Sequence, residues 1–172
     1  MAFNSLDYTL ENKIATITLN RPDFYNAFND EMSFEMQDAL KEVKKNDEVR
    51  VIVITGAGKA FCSGQDLKDI SGKKRSLSDS LYKRYNPIIR SIRTLEKPVI
   101  GKINGVAAGA GCSLALACDY NIASNKASFI EVFVNVGLVL DSGSSYFLAK
   151  SVPPQKAFEW ATQASKISAE EA

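Results

Sequence analysis

The stretch that most constrains this chain is Lys97-Pro-Val-Ile-Gly-Lys-Ile-Asn-Gly-Val-Ala-Ala-Gly-Ala-Gly-Cys-Ser-Leu-Ala-Leu-Ala-Cys-Asp119. Val99 to Ile103 reads as a short strand, and Asn104-Gly105 as a tight turn. The block Ala107-Ala108-Gly109-Ala110-Gly111 has almost no side-chain volume, and an Ala/Leu-rich helix-forming segment follows it. Such a strand, turn and helix start allows two readings. The small residues let a helix pack closely on a sheet, or they leave the first N–H groups of the helix uncovered to meet a phosphate or a polarised carbonyl oxygen. Composition alone leaves both open.

The flanking pattern alternates strands with helices, which makes this an α/β chain. Asp7–Leu10 and Lys13–Leu19 read as a hairpin around Glu11-Asn12, broken by Pro22. A helix starts at Asn29 or Asp30, with Met32, Met36, Leu40 and Val43 on one face. Val51–Thr55 is wholly apolar until its last residue, as in a strand covered on both faces. The segment from Lys59 to Leu67 reads as a loop, and Lys68 to Arg75 as charged and mobile. Leu77, Leu81, Tyr85, Ile88, Ile92 and Leu95 then mark one long helix, closed by Pro98. Short strands are expected at Asp119–Ala123 and Ala127–Phe129, and helices around Tyr146–Leu148 and after Pro153-Pro154. Ser168-Ala-Glu-Glu171 reads as a capping box opening one more helix, which suggests a domain that continues.

Composition narrows the chemistry. The 172 residues suit one domain with a sizeable core, and the net charge of +1 gives no bulk attraction to nucleic acid or an anionic membrane. No apolar run reaches membrane-spanning length, and the N-terminus lacks an export signal. Cys62, Cys112 and Cys118 fit neither a disulfide framework nor a zinc site, so a reducing cytoplasm is expected, with no metal and no separate cofactor. Histidine is absent, which removes Ser-His-Asp and Cys-His hydrolysis. Proton transfer must fall to a carboxylate, lysine, cysteine or tyrosine with a shifted pKa.

Two segments share a design of apolar strand, small residues and helix: one ends Phe61-Cys62-Ser63-Gly64, the other Gly109-Ala110-Gly111. If their N–H groups converged, one carbonyl oxygen would accept two main-chain hydrogen bonds, an oxyanion hole built without side chains. Two unrelated turns are the other reading.

Five ordered segments between residues 7 and 150 carry a family resemblance. They are Asn20-Arg-Pro…Asn26-Ala27, Val51-Ile-Val-Ile-Thr-Gly, Lys59-Ala-Phe-Cys-Ser-Gly-Gln-Asp-Leu67, Lys97-Pro-Val-Ile-Gly…Asn104-Gly-Val-Ala-Ala-Gly-Ala-Gly111 and Ala117-Cys-Asp119. Together they resemble the crotonase (enoyl-CoA hydratase/isomerase) superfamily. The resemblance implies a single α/β domain over 1–172: a spiral of ββα units to about residue 150, then the start of a C-terminal helical region. It implies an acyl-CoA thioester substrate, with coenzyme A arriving as part of that substrate. It places oxyanion donors at the Cys62 and Ala110 N–H groups, between Gly109 and Gly111, and a CoA site along Arg21, Asn26, Ala27, Ala60, Phe61, Gly64, Asp66 and Leu67. It further implies homo-oligomers, trimers or dimers of trimers, built by helices beyond residue 172. A chain without those helices is expected to expose an apolar face.

The hydratases of the superfamily use two glutamates, and the matching positions here are Ser113 and Phe133. Glu131 lies two residues off that register and reads as a solvated strand charge. Asp141, in Val136-Gly-Leu-Val-Leu-Asp-Ser-Gly-Ser-Ser-Tyr146, reads either as a helix N-cap or as a working acid. Its segment resembles the ring-1,2-epoxyphenylacetyl-CoA isomerase branch, in which one aspartate shuttles a proton along the acyl chain. The implied role of Asp141 is that shuttle, its pKa raised if Val139, Leu140 and Phe133 surround it. The related 4-chlorobenzoyl-CoA dehalogenases use a histidine and a tryptophan without counterparts here, so dehalogenation ranks low. The alternatives are a hydratase with a rewired base (Glu131 or Asp141) and a non-catalytic or truncated acyl-CoA binder. Lys68, Lys73, Lys74 and Arg75 read as a solvated loop within reach of CoA phosphates, and Gly72–Ser80 as one wall of the acyl pocket.

Overall fold

The computed structural model describes residues 2–70 and 76–172, and for Ile70 the main chain alone. Strands β1 (Leu6–Glu11) and β2 (Ile14–Leu19) form the antiparallel hairpin. Its turn falls on Asn12-Lys13, both at positive φ (50° and 66°), the paired left-handed conformation that suits hairpin twist. Strand β2 then pairs in parallel with β3 (Val51–Gly56), β3 with β5 (Val99–Ile103), and β5 with β7 (Tyr120–Ala123). A second sheet takes β4 (Ala60–Cys62), β6 (Val106–Ala108) and β8 (Ser128–Ile130) in parallel, with β9 (Ile167–Ser168) antiparallel at its edge. Each of β3, β5 and β7 is thus followed by a strand of the other sheet and then by helical chain. The chain winds as a spiral of ββα units.

The helices are α1 (Asp30–Lys45), the short α2 (Leu67–Ile70), α3 (Leu77–Ser80), α4 (Asn86–Thr94), α5 (Ala110–Ala117), α6 (Ser144–Ser151) and α7 (Pro154–Gln163). Asn29 caps α1 by accepting a 2.9 Å hydrogen bond from the Met32 N–H, and Met32, Met36, Leu40 and Val43 are buried as their spacing predicts. The expected single helix over 77–95 is interrupted by a π-helical turn, Leu81–Tyr85, which joins α3 to α4. Tyr85, Ile88 and Ile92 enter the core, while Leu77 stays exposed. Lys73, Lys74, Arg75 and Gly72 lie outside the described residues.

Three expectations change. Ala60–Cys62 is a strand rather than loop, and Val106–Ala108 is a further strand between the Asn104-Gly105 turn and α5, both too short for any periodicity to show. Strand β3 buries Ile52 and Ile54 fully but leaves Val51, Val53 and Thr55 half-buried, so one face only is sealed. Ser168 makes the expected cap contact, its Oγ accepting from the Glu171 N–H at 3.1 Å, but it does so from the end of β9 and opens a turn. Among the described residues, no helix is long and apolar enough to cross a membrane.

Candidate active site

A cavity of about 250 Å³ opens where the ends of β4 and β6 meet the helices. Its floor is Ser63, Gly64, Gln65, Gly109 and Ala110, and Leu67, Leu77, Ser80, Leu81 and Tyr85 close one side. The opposite wall is apolar (Val132, Phe133, Val136, Leu138, Val139) and carries one acid, Asp141.

The close-packing reading of the small-residue block holds. A Cβ on Gly111 would stand 2.1 Å from the Cys62 carbonyl oxygen, so α5 lies directly on β4 and tolerates nothing larger there. Ala110, one residue earlier, is the first residue of α5 and has no intrahelical acceptor for its N–H. Beside it runs Gly64, at φ 95°, whose Cβ would stand 2.8 Å from the Ala108 carbonyl oxygen and 3.4 Å from the Ala110 nitrogen. Glycine alone permits that backbone and that approach.

The partner donor on this segment is not where the resemblance put it. Cys62 is wholly buried within β4 and does not line the cavity. Burial pushes its thiol up to about 12, with the Gly64 N–H opposing. Of the following N–H groups, Ser63 bonds the Tyr25 carbonyl at 3.0 Å and Asp66 the Phe28 carbonyl at 2.9 Å. The Phe28 N–H in turn bonds the Gly64 carbonyl at 2.7 Å, which makes Phe28 and Gln65 a parallel bridge. In such a bridge the groups of residues 64 and 66 face Phe28, and those of Gln65 itself face the other way. Gln65 lines the cavity, and among the described residues its N–H has no acceptor. Its side chain is held from two sides: Nε2 donates to the Phe28 carbonyl at 2.9 Å, and the Tyr85 hydroxyl donates to Oε1. Tyr85, from the π-helical turn, and Gln65 are site residues that sequence reasoning missed, although Gln65 stands inside a motif it singled out.

Asp141 does not cap a helix. Helix α6 starts at Ser144 after Gly143, and no side chain caps it. Instead the Asp141 carbonyl accepts the Ser144 N–H at 2.8 Å across Ser142 (φ 49°) and Gly143 (φ 79°), a turn with both central residues left-handed. That turn brings Asp141 into the lining of the cavity. Burial raises its pKa above the ordinary aspartate value, while the Ser142 hydroxyl, donating to Oδ1 at 2.8 Å, pulls it back in part. Phe133 and Val139 line the same cavity as expected, whereas Leu140 packs into a separate cluster with Leu148, Ala157, Trp160 and Ile167.

Glu131 overturns the reading of a solvated strand charge: it is 1% exposed, and Ser144 Oγ donates to its Oε1 at 2.6 Å. It does not line the cavity. Ser113 is also fully buried and off the cavity, its hydroxyl directed at the Gly109 and Asp141 carbonyls (3.2 and 3.4 Å).

Several residues expected along the CoA site are framework. Asn26 is fully buried, donating to the Ala57 and Ala60 carbonyls (2.9 and 2.8 Å) and accepting the Arg21 N–H (2.9 Å). Ala27, Ala60 and Phe61 are buried, and Gly111 is pressed on β4. Arg21 pairs with Asp66 at 3.0 Å and lies over the Phe24 ring. Burial raises the Asp66 pKa, but the Arg21 guanidinium and the Asp69 and Lys68 N–H groups outweigh it and hold the carboxyl below the usual range. Gly64, Leu67, Gly109, Ala110, Phe133 and Asp141 are the expected site residues that the fold does bring to one cavity.

A helix start and an apolar wall with one acid thus meet at one cavity. Comparison with known proteins gives the chain its family. The family model for enoyl-CoA hydratase/isomerase matches residues 9–172, and the chain belongs to that family. It is 41% identical over 167 residues to the 1,2-epoxyphenylacetyl-CoA isomerase of Escherichia coli, a match covering 95% of this chain and 64% of that protein. It is 34% identical to the short-chain-enoyl-CoA hydratase of Clostridium acetobutylicum, covering all of this chain and 66% of the relative. The crystal structure of the Bacillus anthracis enoyl-CoA hydratase superposes with a TM-score of 0.93 at 30% identity, covering 98% of this chain and 66% of that one. The crotonase fold expected from the motifs is therefore present, and the chain spans about two thirds of the length of these relatives.

Proposed function

We propose that the chain works as an isomerase of acyl-CoA thioesters that moves a double bond along the acyl group. The observation that supports this reading is that Asp141 lines the same cavity as Gln65 and Ala110, whose N–H groups have no acceptor among the described residues. The thioester oxygen accepts both N–H donors, which stabilises negative charge on that oxygen and acidifies the adjacent C–H. Ionised Asp141 takes a proton from C2 of a 3-enoyl thioester. The electron pair delocalises into a dienolate held by the two donors, and Asp141 returns its proton at C4, leaving the 2-enoyl thioester. One base serves both steps.

Water addition would need a second carboxyl at the cavity, and among the described residues Asp141 is the one acid that lines it. The volume of about 250 Å³ exceeds the ~150 Å³ that accommodates benzene, so a ring-sized acyl group of the phenylacetyl type fits. We further propose assembly with other copies of the chain, since β7 leaves Tyr120 and Ile122 exposed at the edge of the first sheet. Conversion of a 3-enoyl-CoA to its conjugated 2-enoyl product, followed alongside hydration of crotonyl-CoA, tests the reading. Asp141→Asn is expected to abolish migration, with hydration negligible throughout. Brisk hydration of crotonyl-CoA by the unmodified protein would favour the rewired hydratase instead.

A further inference from the structure

Glu131 takes no part in the chemistry above, yet the fold removes it from water more completely than any other described acid (1% exposed). Ser144 Oγ satisfies Oε1 at 2.6 Å. Among the described residues Oε2 has no partner of full hydrogen-bond geometry, and the Cys112 thiol lies against the carboxyl as a weak one. Burying a half-partnered carboxyl is expensive, and a leucine in that place would remove the cost. What Glu131 touches accounts for its presence. Ser144 opens α6 and closes the Asp141 turn with its own N–H. Cys112 lies in the first turn of α5, two residues after the Ala110 donor. Glu131 itself leads into Val132 and Phe133 of the cavity wall.

We propose that Glu131 is a positioning residue, a buried strut between the Asp141 turn and the start of α5 that fixes the separation between Asp141 and the Ala110 N–H. This rests on the isomerase reading of the cavity. An ionised Glu131 would hold a bare anionic oxygen in the core and set a second negative charge near Asp141. The neutral acid removes that repulsion. Burial favours the protonated form, the Ser144 and Cys112 hydrogen bonds oppose it, and the charge on Asp141 adds to the effect of burial.

The test compares Glu131→Gln, Glu131→Ala and Ser144→Ala with the unmodified protein in 3-enoyl-CoA isomerisation, separating kcat from KM. The neutral isostere, Glu131→Gln, is expected to keep kcat within a small factor. Glu131→Ala, which frees the turn, is expected to lose kcat by on the order of a hundredfold at unchanged KM. Ser144→Ala cuts the same link from the α6 side and moves kcat in the same direction, which decides the matter should Glu131→Ala fail to fold. Unchanged kcat in the alanine variants overturns the strut, as does a Glu131→Gln variant as slow as Glu131→Ala. Asp141→Asn is assayed in parallel: an inactive Asp141→Asn beside fully active alanine variants sinks the strut alone. An active Asp141→Asn sinks the isomerase reading, and the strut with it.

Discussion

At the scale of single residues, the site turns on one acid whose surroundings pull it in two directions. Burial raises the Asp141 pKa and the Ser142 hydroxyl lowers it. With Asp141 as the proposed base, acting in its ionised form, activity is expected to be full above the raised pKa and lost as pH falls through it. The acid limb of kcat/KM is therefore expected above the range of an exposed aspartate. Ser142→Gly removes the hydroxyl that favours ionisation while suiting the positive φ of that position. Its acid limb should move to higher pH, which a pH profile reads directly. A limb that stays in place, or moves down, would show that another group titrates. Asp141 was legible in the sequence as an acid before a helix start; that it faces the cavity rather than capping the helix was not. The left-handed pair Ser142-Gly143 decides the matter, and only the backbone reveals it.

At the scale of elements, the decisive contact is α5 against β4. The Gly111 position admits no side chain because the Cys62 carbonyl oxygen would lie 2.1 Å from a Cβ. Gly111→Ala is expected to push the helix start away from the strand, costing about 1–3 kcal/mol. Because Ala110 is the neighbouring residue, the variant should lose kcat as well as denaturant stability, and retention of both would contradict the packing described. The same contact explains what sequence reading could and could not reach. Long periodic elements such as α1 and the β1–β2 hairpin were plain from spacing and turn chemistry. Strands β4 and β6 are three residues each, with no period to recognise. The choice between Cys62 and Gln65 as donor depends on the bridge to Phe28, a partner distant in sequence. Glu131 looked solvated because a lone glutamate among apolar residues beside a strand gives no sign that Ser144 and Cys112 close over it.

At the scale of the whole molecule, the ββα spiral brings the ends of β4 and β6 side by side, so Gln65 and Ala110 line one cavity. The same winding leaves β7 as an open edge with Tyr120 and Ile122 exposed. Sedimentation at micromolar concentration is expected to show a discrete assembly larger than one chain, and a monomer would contradict that part of the proposal. The central claim is that Asp141 removes a proton beside a thioester carbonyl held by the Gln65 and Ala110 N–H groups. The most direct measurement uses a thioester with no double bond to move. In D2O, NMR of phenylacetyl-CoA should show the protein exchanging the C2 hydrogens for deuterium, and Asp141→Asn should leave them in place. Exchange that persists in Asp141→Asn, or none with the unmodified protein, would contradict it.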